Sequence, residues 1–220
     1  ATGTRFVGAG IVDHEDLDLT VAQLRSGGAH CLQGARHGAR VLAEPEHNIA
    51  KVRNAGATAA RHEILVFLDA DTLMPSGLLA RIAGIMADDR CLGGAVDTDY
   101  QPRRAVVRAY LGLWRVFGRI AGLAQGACQF CRRSVFVELG GYDQTHYMGE
   151  DVDFYRRLRR LAKRRRQTTV LIREPRVLPS ARRFDAWPLW RILIWTNPLL
   201  VLAWRHQRAR WTAWYGNPPR

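Results

Sequence analysis

Short apolar runs alternate along this chain with longer segments in which apolar residues recur at helical spacing. Residues 64–68 (ILVFL) are apolar without a break, which predicts a strand buried on both faces, as in parallel sheets. Further runs predict strands or strand edges at residues 39–42, 93–96 and 168–172. The predicted helices cover residues 48–61, 76–86, 104–123, 134–140 and 150–163. This alternation indicates an α/β fold in which helices flank a doubly wound sheet, mostly parallel or mixed.

The length of 220 residues fits one domain over residues 1–185, with residues 1–100 and 101–185 as its two halves. Residues 186–220 follow as a C-terminal arm, rich in Trp and Arg, for which amphipathic helices are expected. The first 100 residues hold 9 basic and 13 acidic side chains, giving −4, whereas residues 101–220 hold 24 and 7, giving +17. The second half therefore faces an anionic partner: nucleotide phosphates, acidic lipid head groups or nucleic acid.

Two carboxylates, Asp69 and Asp71, follow the strand at residues 64–68 immediately. Ligands of α/β sheets collect beside the carboxyl ends of strands, and paired carboxylates there are hard oxygen ligands for Mg²⁺ or Mn²⁺. A divalent cation at this place would bridge to the phosphates of a nucleotide. The alternative is structural, because Asp71 followed by Thr72 is also typical of a cap on a turn before Pro75.

A second pair of acids, Glu150 and Asp151, stands after Gly149 at the predicted start of a helix. Acidic side chains in a first turn interact favourably with the helix dipole, by about 0.3–1 kcal/mol, so a purely structural role accounts for them. The functional alternative is that one carboxylate faces a cleft and accepts a proton from an acceptor hydroxyl. Gly149 fits this alternative, since glycine lets the backbone turn closely past a bound substrate.

Two smaller features leave the same choice between a site and ordinary structure. Arg182 and Arg183 follow the last predicted strand, where they would hold a diphosphate by forked hydrogen bonds; plain surface basicity is the alternative. Cys128 and Cys131 have the spacing of a zinc or redox motif, but no second close pair accompanies them, so we expect packing roles.

The C-terminal arm carries six of the seven tryptophans, interleaved with arginines. Aromatic rings at the head-group level and cations on anionic lipid suit a membrane interface, whereas packing of the rings against the sheet is the alternative. The longest charge-free apolar run, residues 192–204, has 13 residues and contains Asn197-Pro198, while a membrane-spanning helix needs about 20. The arm is therefore not expected to span a membrane, while peripheral contact with a membrane surface and packing against the sheet both stay open.

Five segments together resemble the family 2 glycosyltransferases, over roughly residues 38–185. In chain order they are Arg53-Asn54-Ala55-Gly56, residues 65–72 (LVFLDADT), residues 129–133 (QFCRR), residues 140–143 (GGYD) and residues 149–154 (GEDVDF). Any one of these segments alone is weak evidence. The resemblance is specific because all five recur in the family's order and approximate spacing.

The resemblance implies an A-type glycosyltransferase fold that transfers a sugar, with inversion, from a nucleotide-sugar donor to an acceptor hydroxyl. The expected cofactors are Mg²⁺ or Mn²⁺ and a UDP- or GDP-sugar. The expected acceptor is a glycan or a lipid-linked molecule, and the expected location is cytoplasmic, peripheral on the inner membrane face. Two alternatives stay open: a catalytically inactive nucleotide-sugar-binding homologue, and a basic nucleic-acid-binding protein, for which no nucleic-acid motif is visible.

The resemblance also implies roles for individual residues. The family's Asp-x-Asp motif falls on Asp69 and Asp71, with Asp71 as the direct metal ligand. The family's catalytic base falls on Asp151, and Glu150 would orient the acceptor or the base. The residues implied to lie near the donor nucleotide and its phosphates are Arg53, Asn54 and Gly56.

The N-terminal residues depart from the family's pattern. Family members open with an apolar strand that runs into an Asn-Glu or Asp-Glu turn, and a second strand ends in an Asp-rich segment that recognises the nucleobase. Neither is recognisable in residues 1–30, where residues 6–12 predict only a strand and a turn. Divergence, truncation and an upstream reading-frame error are alternative explanations, and each would affect base recognition and activity.

Overall fold

The computed structural model describes residues 8–11, 20–24, 40–46, 48–124 and 126–215. Its strands are β1 (Gly8–Ile11), β2 (Thr20–Leu24), β3 (Arg40–Glu44), β4 (Ile64–Asp69), β5 (Thr72–Leu73), β6 (Cys91–Thr98), β7 (Cys128–Arg132) and β8 (Thr168–Pro179). Its helices are α1 (Ile49–Ala59), α2 (Leu78–Met86), α3 (Ala105–Ala121), α4 (Arg133–Glu138), α5 (Glu150–Arg165), α6 (Arg182–Ala186), α7 (Leu189–Trp195), α8 (Pro198–Trp204) and α9 (Arg208–Tyr215). Helices are interspersed among the strands from β3 to β8, where β4–β5 and α4–α5 are consecutive elements of one kind, and the described chain after β8 is helical.

The strands form one mixed sheet in the order β3-β2-β1-β4-β7-β6-β8-β5. Its parallel pairs are β2–β3 and β6–β8, and the other described pairs are antiparallel. The expectation of a mixed sheet flanked by helices is confirmed. The expectation of parallel neighbours for β4 is wrong, because β1 and β7 both run antiparallel to it. An unbroken apolar run indicates that both faces of a strand are covered by helices. It carries no information about the direction of the neighbouring strands.

Helices cover both faces of the sheet and form two separate cores. On one face α1, α4 and α5 pack around Phe67, whose ring centroid lies 5.3 Å from that of Phe136 and 6.4 Å from that of Phe154. On the other face Ile82 of α2 belongs to the same cluster as Val66 of β4. Successive residues of β4 point to opposite faces, which is why the strand needs an apolar residue at every position.

Cys128 and Cys131 are free, buried thiols on β7 whose side chains lie in different cores. Residues three apart on a strand face opposite sides of a sheet, so the two sulfurs cannot ligate the same zinc ion. Burial raises the pKa of Cys128 to about 12, which keeps this thiol protonated. The expected packing roles of both cysteines are confirmed.

The largest difference between a predicted and an observed element concerns β8. The prediction covered residues 168–172, whereas the strand runs over Thr168–Pro179. Its pairing with β6 shifts register between Val96 and Thr98, next to the polar segment at residues 173–176. The polar interruption that ended the predicted strand is therefore an irregularity inside a longer one. At the other end of the chain, β1 lies inside the predicted segment 6–12, of which Phe6, Val7 and Val12 lie outside the described residues.

A third core joins α3 to the helices after β8. Its buried members are Val107, Leu111, Phe184, Trp187 and Ile192. Trp211 is also buried, and its indole N–H donates to the Trp204 carbonyl oxygen at 2.8 Å. Trp190, in contrast, is 63% exposed. Core packing thus explains some of the tryptophans of the arm and leaves others on the surface. In the part of the chain that the structure covers, no helix combines the length and apolarity needed to cross a bilayer.

Candidate active site

Asp69 and Asp71 flank the short connection between β4 and β5. Asp69 is the last residue of β4, and the carbonyl oxygen of Asp71 accepts from the Ser180 N–H at 3.0 Å. Thr72 begins β5, and the N-cap position of α2 is occupied by Gly77. The Asp71 side chain therefore caps no helix. Both carboxylates lie at the C-terminal end of β4, on the side of the sheet where this strand ends.

The Arg53 side chain joins the two acidic segments of the chain. Its Nη2 donates to Asp69 Oδ1 at 2.7 Å, and its Nη1 donates to Glu150 Oε1 at 2.6 Å. Only 3% of Arg53 is exposed. Burial alone would lower the pKa of Arg53, but the charges of Asp69 and Glu150 outweigh burial, so this pKa lies well above its ordinary value. Arg53 is thus a buried cation that ties the end of β4 to the start of α5.

Asp151 lies in the first turn of α5, directly against Gly126. Its Oδ1 accepts from the Val152 N–H at 2.8 Å, and a Cβ atom at Gly126 would overlap the Asp151 side chain. Burial raises the pKa of Asp151, opposed by Arg53 and by backbone N–H groups, and the charge of Asp69 adds to the rise. A carboxylate with a raised pKa accepts a proton more readily than an ordinary aspartate.

Glu150 is buried, with 5% of its surface exposed. Burial raises the pKa of Glu150 to about 7, Arg53 opposes this rise, and the charge of Asp151 adds to it. A single guanidinium shared between Glu150 and Asp69 therefore does not compensate the burial of these acids fully.

Arg183 and Tyr100 complete the surroundings of Asp71. Although Asp71 is exposed, the protein around its carboxyl group and the charge of Asp69 raise its pKa to about 6, against the pull of Arg183. Tyr100 follows β6, and its ring meets the Phe184 ring edge to face with centroids 5.2 Å apart. Asp71 thus combines access to solvent with a cationic neighbour.

Tyr100 lies within reach of both acidic segments. Burial raises its pKa, the charges of Asp69, Asp71 and Asp151 raise it further, and Arg183 opposes them. The Tyr100 phenol therefore interacts electrostatically with carboxylates of both acidic segments, which the Arg53 side chain joins. Tyr100 was not among the site residues predicted from the sequence. The available signal was its position after a strand: β4 and β6 are both antiparallel to β7, so they end at the same edge.

Asn54 and Gly56 both lie in α1, and the Asn54 side chain bonds to the backbone of Tyr142. The Asn54 Nδ2 donates to the Tyr142 carbonyl oxygen at 2.8 Å, and its Oδ1 accepts from the Tyr142 N–H at 2.9 Å. The Asn54 amide thus fastens the loop after α4 to α1. Gly56 is buried within α1. Of the three residues predicted near the donor, Arg53 is the one whose side chain bonds to the carboxylates, and the placement of all three near the donor stays a prediction.

The two consecutive arginines at the start of α6 have different surroundings. The Arg182 Nε donates to the Ser180 hydroxyl at 2.8 Å. The Arg183 guanidinium lies 5.6 Å from the centroid of the Trp187 ring and interacts electrostatically with Asp71. Of the predicted pair, Arg183 is the member that reaches the site.

The site contains more negative than positive charge. Its carboxylates are Asp69, Asp71, Glu150 and Asp151, and its guanidiniums are Arg53 and Arg183. A divalent cation would balance this excess. In the described residues no three Asp, Glu, His or Cys side chains form a group that could hold a metal ion. Asp69 and Asp71 fit a cation of the Mg²⁺ type, which proteins commonly hold by one or two carboxylates together with substrate phosphates.

Comparisons with known proteins provide a family match and a structural match. The model of glycosyl transferase family 2 matches residues 11–140, which is more than half of the chain. No curated protein matches. Among solved structures, the chain is similar to the mannosyltransferase PcManGT from Pyrobaculum calidifontis in complex with GDP-Man and Mn²⁺, with 19% identity and a TM-score of 0.57. The match covers 89% of this chain and 54% of that chain, so this chain spans about half the length of that protein.

Identity at this level shows a shared fold alone, and that fold is the A-type glycosyltransferase fold expected from the sequence. The family match confirms the resemblance to this family, and it covers the first three of the five segments, at residues 53–56, 65–72 and 129–133. The chain therefore belongs to glycosyl transferase family 2.

Proposed function

We propose that this protein transfers a sugar from a nucleotide-sugar donor to an acceptor hydroxyl, with inversion at the anomeric carbon. The observation that carries the proposal is the Arg53 bridge, which brings the end of β4 and the acidic first turn of α5 to one place. The position of Tyr100 among the carboxylates of both segments supports the same grouping. A cluster built only for stability would pair its buried carboxylates more completely with cations.

Asp151 is the proposed general base. The acceptor hydroxyl gives its proton to the Asp151 carboxylate while its oxygen forms a bond to the anomeric carbon. The bond between that carbon and the diphosphate oxygen breaks, and the nucleoside diphosphate leaves, so a single displacement inverts the configuration. The raised pKa of Asp151 supports this role. Glu150 holds Arg53 and thereby keeps the first turn of α5 in position.

Asp69 and Asp71 are the proposed ligands of a divalent cation. When bound, Mg²⁺ or Mn²⁺ would neutralise negative charge that grows on the departing diphosphate. Arg183 would hold the same diphosphate, because its guanidinium offers two parallel donors and lies beside Asp71. The exposure of Asp71 leaves its carboxylate accessible to a donor that arrives from solvent.

A GDP-sugar is the first donor to test, because the similar mannosyltransferase was solved with GDP-Man and Mn²⁺. A ligand that binds only the folded state raises the melting temperature. The full chain is therefore heated with GDP-, UDP- and dTDP-sugars, each with and without Mn²⁺. Stabilisation that depends on Mn²⁺ supports the proposed donor site, and the absence of a shift with every nucleotide sugar contradicts it.

The variant Asp151→Asn tests the mechanism. We expect sugar transfer to fall by at least about a hundredfold, the usual contribution of a general base, while stabilisation by the nucleotide sugar is retained. Glu138→Gln, which changes a partly exposed acid paired with Arg165, is the control and should transfer sugar like the wild type. Near-normal turnover of Asp151→Asn would refute the base assignment. A wild type that binds donor without transferring or hydrolysing it would instead identify an inactive homologue.

A second proposal concerns the acceptor, for which the arm suggests a lipid-linked or membrane-proximal molecule. Residues 186–220 contain no Asp or Glu. The exposed large apolar side chains of α7 and α8 include Trp190, Leu193, Ile194 and Leu199. Exposed apolar residues beside arginines are typical of helices that lie on anionic membranes. Binding of the full chain to anionic but not to neutral vesicles would support peripheral attachment, and failure to bind anionic vesicles would contradict it.

Much of the basic excess of the second half is used within the protein. Arg132 donates to the carbonyl oxygens of three residues between α2 and β6, and Arg157 donates to those of Leu139 and Gly141. Arg133 donates to the carbonyl oxygens of two residues near the end of α1. Arginines committed to backbone carbonyls are not arranged as a phosphate-binding stripe, which disfavours the nucleic-acid alternative.

A further inference from the structure

The C-terminal arm contacts the loop that leads into the first turn of α5. This loop, residues 143–149, ends directly before Glu150 and Asp151. The Tyr147 N–H donates to the carbonyl oxygen of Arg205 at 2.7 Å. Arg205 follows α8, so a backbone hydrogen bond joins the arm to the loop that carries the proposed base.

His206 adds a side-chain contact to the same loop. Its Nδ1 lies 3.3 Å from both the hydroxyl and the carbonyl oxygen of Thr145. The Arg205 Nε donates to the His206 Nε2 at 3.1 Å, which leaves the ring proton on Nδ1 and makes Nδ1 the donor to Thr145. Arg205 thereby orients the ring that holds the loop.

The His206 ring also covers His146, at a centroid distance of 4.7 Å. His146 is 4% exposed, and its Nδ1 is buried without a hydrogen-bond partner. Both rings line a cleft of about 560 Å³, to which the chain around Gly141 and the side chains of Asp153 and Arg157 also contribute, but not Asp69, Asp71 or Asp151. An unsatisfied buried nitrogen costs free energy, so the packing of the His206 ring helps to hold the His146 ring, whose Nε2 lies 3.6 Å from Asp143 Oδ2.

Val201 of α8 contacts the last residue of the loop. A Cβ atom on Gly149 would lie 3.4 Å from Val201 Cγ1, so α8 rests against this glycine. Gly149 is the N-cap of α5 and has φ +74°, a left-handed conformation that glycine adopts without strain. The contact therefore lies at the backbone hinge from which Glu150 and Asp151 project.

The opposite side of the loop is held by α1. The Asn48 side chain, which caps α1, donates to the carbonyl oxygens of Gln144 and His146 at 2.9 and 3.3 Å. The loop is thus clamped between the N-terminus of α1 and the arm. Because Arg53 projects from α1 to Glu150, the same two supports fix the geometry of the acidic first turn.

We propose that Val201, the Arg205 carbonyl and His206 form a latch whose residues position the proposed base. This inference rests on the proposed function. The latch holds the 143–149 loop so that Asp151 faces the acceptor hydroxyl, and it touches neither the Asp pair nor Arg183. Its loss therefore lowers kcat and leaves the binding of the nucleotide sugar unchanged. The arm that would meet a membrane is thereby the element that aligns the base.

The test compares His206→Ala and Val201→Ala with the control Gln207→Ala, whose Oε1 accepts from Arg210 Nε within the arm. In both latch variants we expect kcat to fall about tenfold or more, because displacement by one ångström costs up to a hundredfold, while the KM for the donor stays within about twofold. His206→Gln, which keeps a donor, should recover part of the loss. Unchanged kcat in both latch variants, or an effect on donor KM alone, would overturn the proposal.

Hydrogen exchange of the Tyr147 amide gives a readout that does not require turnover. We expect faster exchange in both latch variants than in Gln207→Ala, because the bond to the Arg205 carbonyl opens more often. Equal exchange rates would show that the latch does not hold the loop. If exchange quickens while the wild type transfers no sugar from any donor, the contact stands and the proposed function has failed.

Discussion

The spacing Asp-x-Asp occurs twice at one edge of the sheet, and the two copies have different surroundings. Asp69 and Asp71 follow β4, and Asp97 and Asp99 lie at the end of β6. Both strands are antiparallel to β7, which lies between them, so they end on the same side. Judged by spacing and position alone, the two copies are equivalent.

The two Asp-x-Asp copies differ in the arginines that neutralise them. Arg119 Nε donates to Asp97 at 2.8 Å, and Arg115 Nη1 donates to Asp99 Oδ1 at 2.9 Å, so each acid of the second copy has its own arginine from α3. The first copy shares Arg53 with Glu150 and meets Arg183 only at Asp71. The second copy is neutralised and structural, whereas the first retains negative charge that a ligand can use. The number of cations packed around an acid pair is therefore more informative than its spacing.

Arg53→Ala should break this comparison most strongly, because it removes the cation from the buried Glu150. We expect the free energy of unfolding to fall by about 3–5 kcal/mol, since Glu150 and Asp69 lose the buried cation that bonds them both, and sugar transfer to be lost. Urea unfolding of the full chain measures the change. Arg119→Ala, whose side chain is partly exposed, should cost about 1–3 kcal/mol. Equal losses of unfolding free energy in the two variants would contradict the distinction between Arg53, which two acids share, and Arg119, which pairs with Asp97.

Asp71→Asn and Asp99→Asn test whether the retained charge serves catalysis. Loss of a carboxylate that holds the cation should lower transfer about a hundredfold, equivalent to roughly 2.7 kcal/mol of transition-state stabilisation. Asp99→Asn should stay within about twofold of the wild type, because the Asp99 carboxylate is already paired with Arg115 and accepts from Gln101. For each variant we would measure the rate of sugar transfer and the rise in melting temperature that Mn²⁺ and nucleotide sugar together produce. Similar losses in the two variants would remove the basis for choosing Asp71.

The pH dependence of stability should identify Glu150 as the under-compensated acid. Its folded-state pKa of about 7 lies above the ordinary value of 4.5, so between these pH values the folded state binds the proton more tightly than the unfolded state. Glu150 therefore makes the free energy of unfolding fall as pH rises from 4.5 to 7. Glu150→Gln removes this contribution, at most about 1.4 kcal/mol per pH unit. Identical slopes in urea unfolding at pH 5, 6 and 7 would contradict the raised pKa.

The smallest expected effect belongs to Arg115→Ala. The side chains of Arg115 and Asp99 are 26% and 31% exposed, so water solvates the remaining carboxylate. We expect the free energy of unfolding to change by no more than about 1 kcal/mol. A loss as large as that of Arg53→Ala would show that the second Asp-x-Asp is as critical as the first.

Local patterns identified the elements and the residue types of the site, but not the contacts between them. The apolar run of β4, the acid pair behind it and the Glu-Asp start of α5 were each visible within a few residues of sequence. Arg53 was predicted near the donor phosphates, which stays a prediction, and its bond to a glutamate 97 positions away was not visible in the sequence. Tyr100 was missed because a single tyrosine after a strand carries no distinguishing spacing. The direction of the strands beside β4 was also not visible, since burial looks the same for parallel and antiparallel neighbours.

The sequence by itself determined the class of fold, the family and the two acidic segments, because hydrophobic periodicity and motif order are properties of consecutive residues. Only the tertiary structure decided which Asp-x-Asp keeps an excess of charge, and which part of the arm rests on the loop before Asp151. These outcomes depend on how many cations and donors from distant elements fill each position. Burial sets the strength of every such interaction, and burial is a property of the packed chain.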